Sequence, residues 1–282
     1  MVRLALLAVA LAAPLAFAAM AAADPIRSRI YPAPTAPLSA AGLPAGAALV
    51  EVATADGLRL KGVELAGRAD RPMVLLFHGN GSSAADALGW LRPLTDGGYG
   101  VVAAEYRGYS GNPGAPSEEG LAADADAFLA RAEALAGGRP VIVVGHSLGG
   151  GVAFGLAARR KLDALMTVGT FTRLRAMAPK LARAFIRDRY DNLAGVGALD
   201  EPFYLVHGTA DEVVPTQFAN ELHAAAVRAG RTGASFVAEG AGHAPDGAVV
   251  AAVVELAAAR LRAPDAPLSP TPAGVRVFPF SR

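Results

Sequence analysis

The sequence predicts an α/β fold: a doubly wound, mostly parallel sheet flanked by helices. Short, almost wholly apolar runs at residues 73–77, 101–104, 141–144, 164–168 and 203–206 read as strands buried on both faces. Helical stretches alternate with them at 83–94, 117–135, 148–160, 215–229 and 245–261, and 235–238 adds one more short strand. Ahead of these, 49–53 and 58–65 flank Ala55-Asp56-Gly57 and alternate apolar with polar residues, the pattern of a hairpin with one wetted face.

Composition bounds what such a chain does. With 53% hydrophobic and 18% charged residues it has apolar surface for a sizeable core, and 282 residues suit one α/β domain, bounded at 49–262. The 26 basic and 25 acidic residues leave a formal charge of +1, so no global field gathers nucleic-acid phosphates, and nucleic acid is not an expected partner. The absence of cysteine excludes disulfides, thiolate metal sites and a cysteine nucleophile. Five prolines between 24 and 48 predict an extended lead-in that serves as a spacer, and five more between 263 and 282 predict a tail that lies over the surface or stays mobile.

Arg3 precedes an uncharged, Leu- and Ala-rich stretch, and Ala21-x-Ala23 stands before Asp24. Residues 1–23 therefore read as a cleavable signal peptide, with export to the periplasm or medium as the expectation; an uncleaved membrane anchor is the alternative, weakened by Pro14.

On an open parallel sheet, ligands bind beyond the carboxyl ends of the strands. The junction after 141–144 contains Gly145-x-Ser147-x-Gly149 between a strand and an Ala-rich helix, the pattern of a sharp turn that exposes a nucleophilic serine. The two glycines provide clearance, and the Leu148 amide at the helix start is placed to hold an oxyanion. A serine needs a base, and the base an orienting acid. Of five histidines, His78 and His207 end buried strands, His146 adjoins the serine and His223 lies mid-helix, so these four read as structural. His243 remains, in a glycine turn after the last strand. The acid candidate is Asp211, at another carboxyl end; its competing reading is a helix cap before Pro215, and Glu212, Asp246 and Glu239 are weaker candidates. The chain order Ser147, Asp211, His243 favours Asp211. A second oxyanion donor is expected in the loop 77–83, where the Asn80 amide sits between Gly79 and Gly81; no nucleotide-binding glycine pattern is present there.

His78-Gly79-Asn80-Gly81, Tyr106-Arg107-Gly108-Tyr109-Ser110-Gly111-Asn112-Pro113-Gly114, Pro116-Ser117-Glu118-Glu119-Gly120, Gly145-His146-Ser147-Leu148-Gly149-Gly150 and Tyr190-Asp191-Asn192-Leu193 together resemble the α/β-hydrolase-fold serine hydrolases. The pattern is closest to the group that includes depalmitoylating thioesterases and spans roughly residues 50–261. The resemblance implies an eight-stranded, mostly parallel sheet with a short cap over 170–200, a triad of Ser147, Asp211 and His243, oxyanion amides at Asn80 and Leu148, and no cofactor. Members of that family act on esters, thioesters and amides, so the resemblance itself names no substrate; a small-molecule acyl substrate cleaved at an ester or thioester bond through an acyl-enzyme is the expectation. A serine peptidase or acyltransferase would use the same triad, and a silent exported binding protein would keep the fold without a reactive serine. Where the group carries a serine-proline step, this chain has Gly169-Thr170-Phe171-Thr172, so the pocket wall is expected to differ.

Within the cap, six basic residues between 173 and 189 oppose Asp188 alone, and Leu174, Met177, Leu181 and Phe185 fall near helical spacing. A basic amphipathic helix is expected. It is either a solvated flank of the site or a contact for an anionic membrane surface or an acidic substrate.

Overall fold

A computed structural model describes residues 27–281, so the predicted signal segment lies outside the described residues. The first half of the chain runs α1 (Arg27–Ile30), β1 (Ala48–Ala53), β2 (Arg59–Leu65), β3 (Met73–Phe77), α2 (Ala84–Trp90), α3 (Arg92–Asp96), β4 (Gly100–Ala104), α4 (Glu118–Ala136) and β5 (Val141–His146). It continues with α5 (Leu148–Ala157), β6 (Ala164–Val168), α6 (Leu174–Met177), a 3₁₀ turn at Lys180–Phe185, α7 (Asn192–Ala198), β7 (Phe203–Gly208), α8 (Thr216–Arg228), β8 (Gly233–Ala238), α9 (Gly247–Arg262) and β9 (Val275–Pro279).

Among the described residues one sheet of nine strands forms, in the order β1-β2-β4-β3-β5-β6-β7-β8-β9. Strands β3 to β8 are parallel to one another, while β1, β2 and β9 join antiparallel at the edges. The wholly apolar strand runs follow from helices on both faces. Met73, Leu75 and Phe77 of β3 point into one core with Phe128 of α4 and Val152 of α5, while Val74 and Leu76 point into the other with Leu88 of α2 and Val254 of α9.

The sheet carries one strand more than the eight implied by the resemblance, and the extra one comes from the tail expected to lie over the surface or stay mobile. Val275-Arg276-Val277-Phe278 alternates in character and pairs with β8, and Phe280 just beyond is buried and stacks on Phe203 at 5.5 Å. The pairing satisfies backbone groups that β8 would otherwise leave at an open edge. The predicted helix at 83–94 divides at Leu91, because Pro93 sits in the first turn of α3.

The predicted cap helix is also broken. Pro179 holds Ala178 in an extended conformation (φ −92°, ψ 151°), which stops α6 after one turn; the chain resumes only as the short 3₁₀ turn.

Strand order reverses at β3. The helix after β3 covers one face and the helix after β5 covers the other, so a crevice opens between the carboxyl ends of these neighbouring strands.

Candidate active site

Ser147 sits at that crevice, between the last residue of β5 and the first of α5. Its backbone is left-handed, at φ 53° and ψ −114°, a conformation that costs on the order of 1–3 kcal/mol for a residue with a side chain. The surrounding chain enforces it. The Ser147 amide donates to the Val168 carbonyl of β6 at 2.8 Å, and its own carbonyl accepts from Gly150 at 3.0 Å. A β-carbon on Gly149 would collide with the Phe77 carbonyl, and one on Gly145 would collide with the Gly149 carbonyl, so only glycine fits at either place. Leu148 is the first residue of α5, and its N–H therefore has no acceptor within the helix.

The loop after β3 packs on this turn: a β-carbon on Gly79 would lie 3.4 Å from that of Ser147. Asn80 follows, and its side chain is clamped. Its Oδ1 accepts from the Tyr109 hydroxyl at 2.6 Å, and its amide nitrogen donates to the Ile30 carbonyl. His78 is buried against Glu105 at 2.9 Å, and Tyr106 donates to the His78 carbonyl, so the tyrosines of the 106–114 segment fix the loop that carries Asn80. Arg107 in the same segment is held by Asp124 and Asp56, at 2.8 and 2.7 Å.

Asp211 and His243 meet from the loops that follow the neighbouring parallel strands β7 and β8. Nδ1–H of His243 donates to Asp211 Oδ2 at 2.9 Å, which leaves Nε2 as the ring's lone-pair nitrogen. The other carboxylate oxygen, Oδ1, accepts from the amides of Val213 and Val214, so Asp211 also performs the turn-capping role that was its competing reading. Burial pushes the Asp211 carboxyl up, but the His243 hydrogen bond and the two amides outweigh it and hold it below its ordinary value. Among the described residues the Ser147 hydroxyl makes no hydrogen bond, and it is not joined to the His243 ring in this conformation. His207 Nε2 donates to the Val214 carbonyl at 2.9 Å and lies 3.4 Å from Asp211, bracing that loop from below.

Two contributors were not legible in the sequence. Nε2–H of His146 donates to the His243 backbone carbonyl at 3.0 Å, and its ring lies 4.7 Å from the His243 ring and 5.0 Å from Trp90. Burial first, then the neighbouring His243, pushes His146 down to about 4, so it stays neutral and keeps its lone donor on the loop. Trp90 donates to the Pro245 carbonyl at 2.7 Å and ties the same loop from its far end. The second is the lead-in, expected to be a spacer. Tyr31 is buried, donating to Asp188 at 2.8 Å and meeting Tyr190 at 3.1 Å, which brings Arg29 and Ile30 to the crevice. A buried tyrosine among prolines was the only available signal, and its partners lie far along the chain.

A cavity of about 450 Å³ opens directly over Ser147. Leu148 and Asn80 line it together with Phe171, Leu174, Met177, Ile186 and Val214. Phe171 belongs to the segment that replaces the serine-proline step. Thr170 beside it is buried against the turn, with its hydroxyl near the Val168 carbonyl at 3.3 Å. Among the described residues no acidic side chain lines this cavity, and no cluster of His, Asp or Glu is arranged to hold a metal ion.

A left-handed serine between strand and helix, at the carboxyl edge of a doubly wound sheet, places this chain in the α/β-hydrolase family of hydrolases, to which it belongs. Residues 68–196 match a family model described as serine aminopeptidase, S33. An uncharacterised protein of Mycobacterium tuberculosis, Rv2307c, is 34% identical over 216 residues, covering 73% of this chain and 75% of that one. Lysophosphatidylserine lipase ABHD12 of Danio rerio is 30% identical over 181 residues, which are 55% of this chain and 47% of the lipase. Among solved structures, the esterase Pf2001 of Pyrococcus furiosus superposes with a TM-score of 0.59 at 18% identity, covering 76% of this chain and 90% of the esterase, a likeness of fold.

Proposed function

We propose that this protein is a serine hydrolase that cleaves carboxylic esters or thioesters of single-chain acyl groups through an acyl-enzyme. The observation that carries the reading is the strained Ser147 in a strand-to-helix turn that lines a largely apolar cavity; the His243 imidazole, hydrogen-bonded to the Asp211 carboxylate on the neighbouring loops, supports it. In this reading His243 Nε2 takes the Ser147 proton as the hydroxyl attacks the acyl carbonyl, and Asp211 holds the ring's tautomer and stabilises the imidazolium. The Asn80 and Leu148 amides receive the oxyanion, His243 then protonates the leaving group, and water releases the acyl chain by the same steps in reverse. In this reading the Ser147 hydroxyl donates to His243 Nε2 once substrate fills the crevice.

The matched family model gives a peptidase as the second reading. An aminopeptidase must recognise a free α-ammonium group. Among the described residues the cavity over Ser147 has no carboxylate to pair with one and instead has Arg29 in its lining, so the apolar lining favours an acyl chain.

The test is labelling by a fluorophosphonate, followed by turnover of p-nitrophenyl esters, acyl thioesters and aminoacyl amides. Labelling that is lost in Ser147→Ala and in His243→Ala, with esters or thioesters turned over far faster than amides, is the expected result. Unchanged labelling in Ser147→Ala would reject the assignment, and a preference for aminoacyl amides would select the peptidase.

A further inference from the structure

The cap faces two ways. Leu174, Met177, Ala182 and Ile186 line the cavity, whereas Leu181 and Phe185, which alternate with the last two, point outward at 92% and 66% exposure. The break at Pro179 produces this split. A continuous helix would have put Leu174, Met177, Leu181 and Phe185 on one stripe; the 3₁₀ turn, with three residues per turn, rotates the second pair away. Val213, which also lines the cavity, is 57% exposed at its mouth, so apolar surface stands on the outside of the site as well as within it.

The charge around this surface is predominantly positive. Asp188, the only acid between 173 and 189, is turned inward, where it accepts from the Tyr31 hydroxyl and the Glu118 amide. Arg173 is paired with Asp191 at 3.0 Å. Arg183 spends its guanidinium on the carbonyls of Ala178 and Ala176, which leaves its positive charge uncompensated, and Lys180 and Arg187 have no acidic partner among the described residues. The whole chain carries a formal charge of only +1, so this concentration is local.

We propose that the outer face of the cap, with Leu181 and Phe185 flanked by Lys180, Arg183 and Arg187, docks on anionic lipid surfaces. Exposed bulky apolar side chains ringed by basic ones match a headgroup layer, whose phosphates meet the cations while the apolar groups enter the acyl boundary. A second copy of the chain fits poorly, because a two-fold contact would set this positive face against itself. Docking would bring the mouth of the cavity to the bilayer and let an acyl chain enter without crossing water; that last step rests on the ester-hydrolase reading, whereas the docking does not.

The experiment is cosedimentation of the full chain with vesicles of phosphatidylcholine, with or without phosphatidylglycerol, at low and high salt. Binding is expected to be selective for the anionic vesicles and to weaken with salt. It should fall roughly fivefold for each charge removed by Lys180→Gln, Arg183→Gln or Arg187→Gln. Leu181→Asp with Phe185→Asp should weaken it while leaving far-UV circular dichroism and turnover of a soluble short-chain ester unchanged. A Phe185→Trp reporter should show a blue-shifted emission on anionic vesicles, which locates the contact at the cap whatever other segment touches lipid. No emission shift, or sedimentation that is equal on both vesicles and indifferent to these substitutions, would overturn the proposal. Selective docking by a chain that turns over no ester would uphold it and sink the hydrolase reading; an active esterase that fails to dock would do the opposite.

Discussion

The ring of His146 holds up the loop that carries His243: its Nε2–H donates to the His243 carbonyl at 3.0 Å, and the two rings lie 4.7 Å apart. The residue preceding the candidate nucleophile thus sets the position of the candidate base, and Trp90 secures the other end of the same loop through Pro245.

Replacing His146 with Phe keeps an aromatic ring between Trp90 and His243 but removes the donor. Leaving a buried carbonyl unpaired costs about 1–3 kcal/mol. The expected outcome is a lower melting temperature and a kcat for ester turnover reduced tenfold or more, with KM nearly unchanged because the cavity wall is not touched. His146→Gln, which retains an N–H donor, should recover part of kcat. Equal losses in kcat for the Phe and Gln variants would mean that the hydrogen bond is not what positions the loop.

Acid should destabilise the fold before the carboxylates titrate. His146 is pushed down to about 4 by burial and then by the His243 ring, and His207 is lowered by burial, whereas both regain a value near 6.5 when unfolded. Between these limits the unfolded chain binds more protons, so stability rises with pH. The contribution is complete above about 6.5 and is lost as pH falls toward about 4. Urea midpoints measured at neutral pH and near the lower limit should show the drop, and His146→Gln should flatten it. A midpoint independent of pH across this range would contradict the burial argument.

Filling the cavity should shorten the accepted acyl chain. Met177 and Leu174 line the cavity and are not among the candidate catalytic groups. Met177→Trp is expected to cut kcat/KM for a p-nitrophenyl ester of a long chain by tenfold or more while leaving the acetate within about twofold, in line with the 1–3 kcal/mol that a few methylenes are worth in an apolar pocket. A uniform loss across the series would place the acyl chain elsewhere.

The lead-in should behave as part of the site. Tyr31→Phe removes the hydroxyl that Asp188 accepts from, at a cost of about 1–3 kcal/mol, and loosens Arg29 and Ile30 at the cavity rim. Thermal melts and the chain-length profile should both shift. A variant matching the parent in both would return the segment to the role of a spacer.

What could be read from the sequence divides along physical lines. Buried parallel strands announce themselves because both faces are apolar, and the Gly145 to Gly149 turn does so because its sterics act within five residues. The mutual contacts of the site are different. His146 and His243 are 97 positions apart, and Tyr31 and Asp188 are 157 apart. No local pattern encodes such pairs. The broken cap was legible in principle: Pro179 interrupts the apolar spacing, and its effect on Ala178 outweighs the periodicity of Leu174, Met177, Leu181 and Phe185. Strand β9 was hidden because the prolines around it dominate the composition, although Val275 to Phe278 alternates as an edge strand should.

That last strand has a consequence for how the molecule is made. β8 leaves the ribosome well before Val275, with Glu239 to Gly274 still to be synthesised, and until β9 arrives its outer edge presents unpaired backbone groups to every other nascent chain nearby. A premature stop between Ala244 and Gly274 would yield a polypeptide that still holds Ser147, Asp211 and His243 yet leaves that edge open, prone to sticking to its own kind.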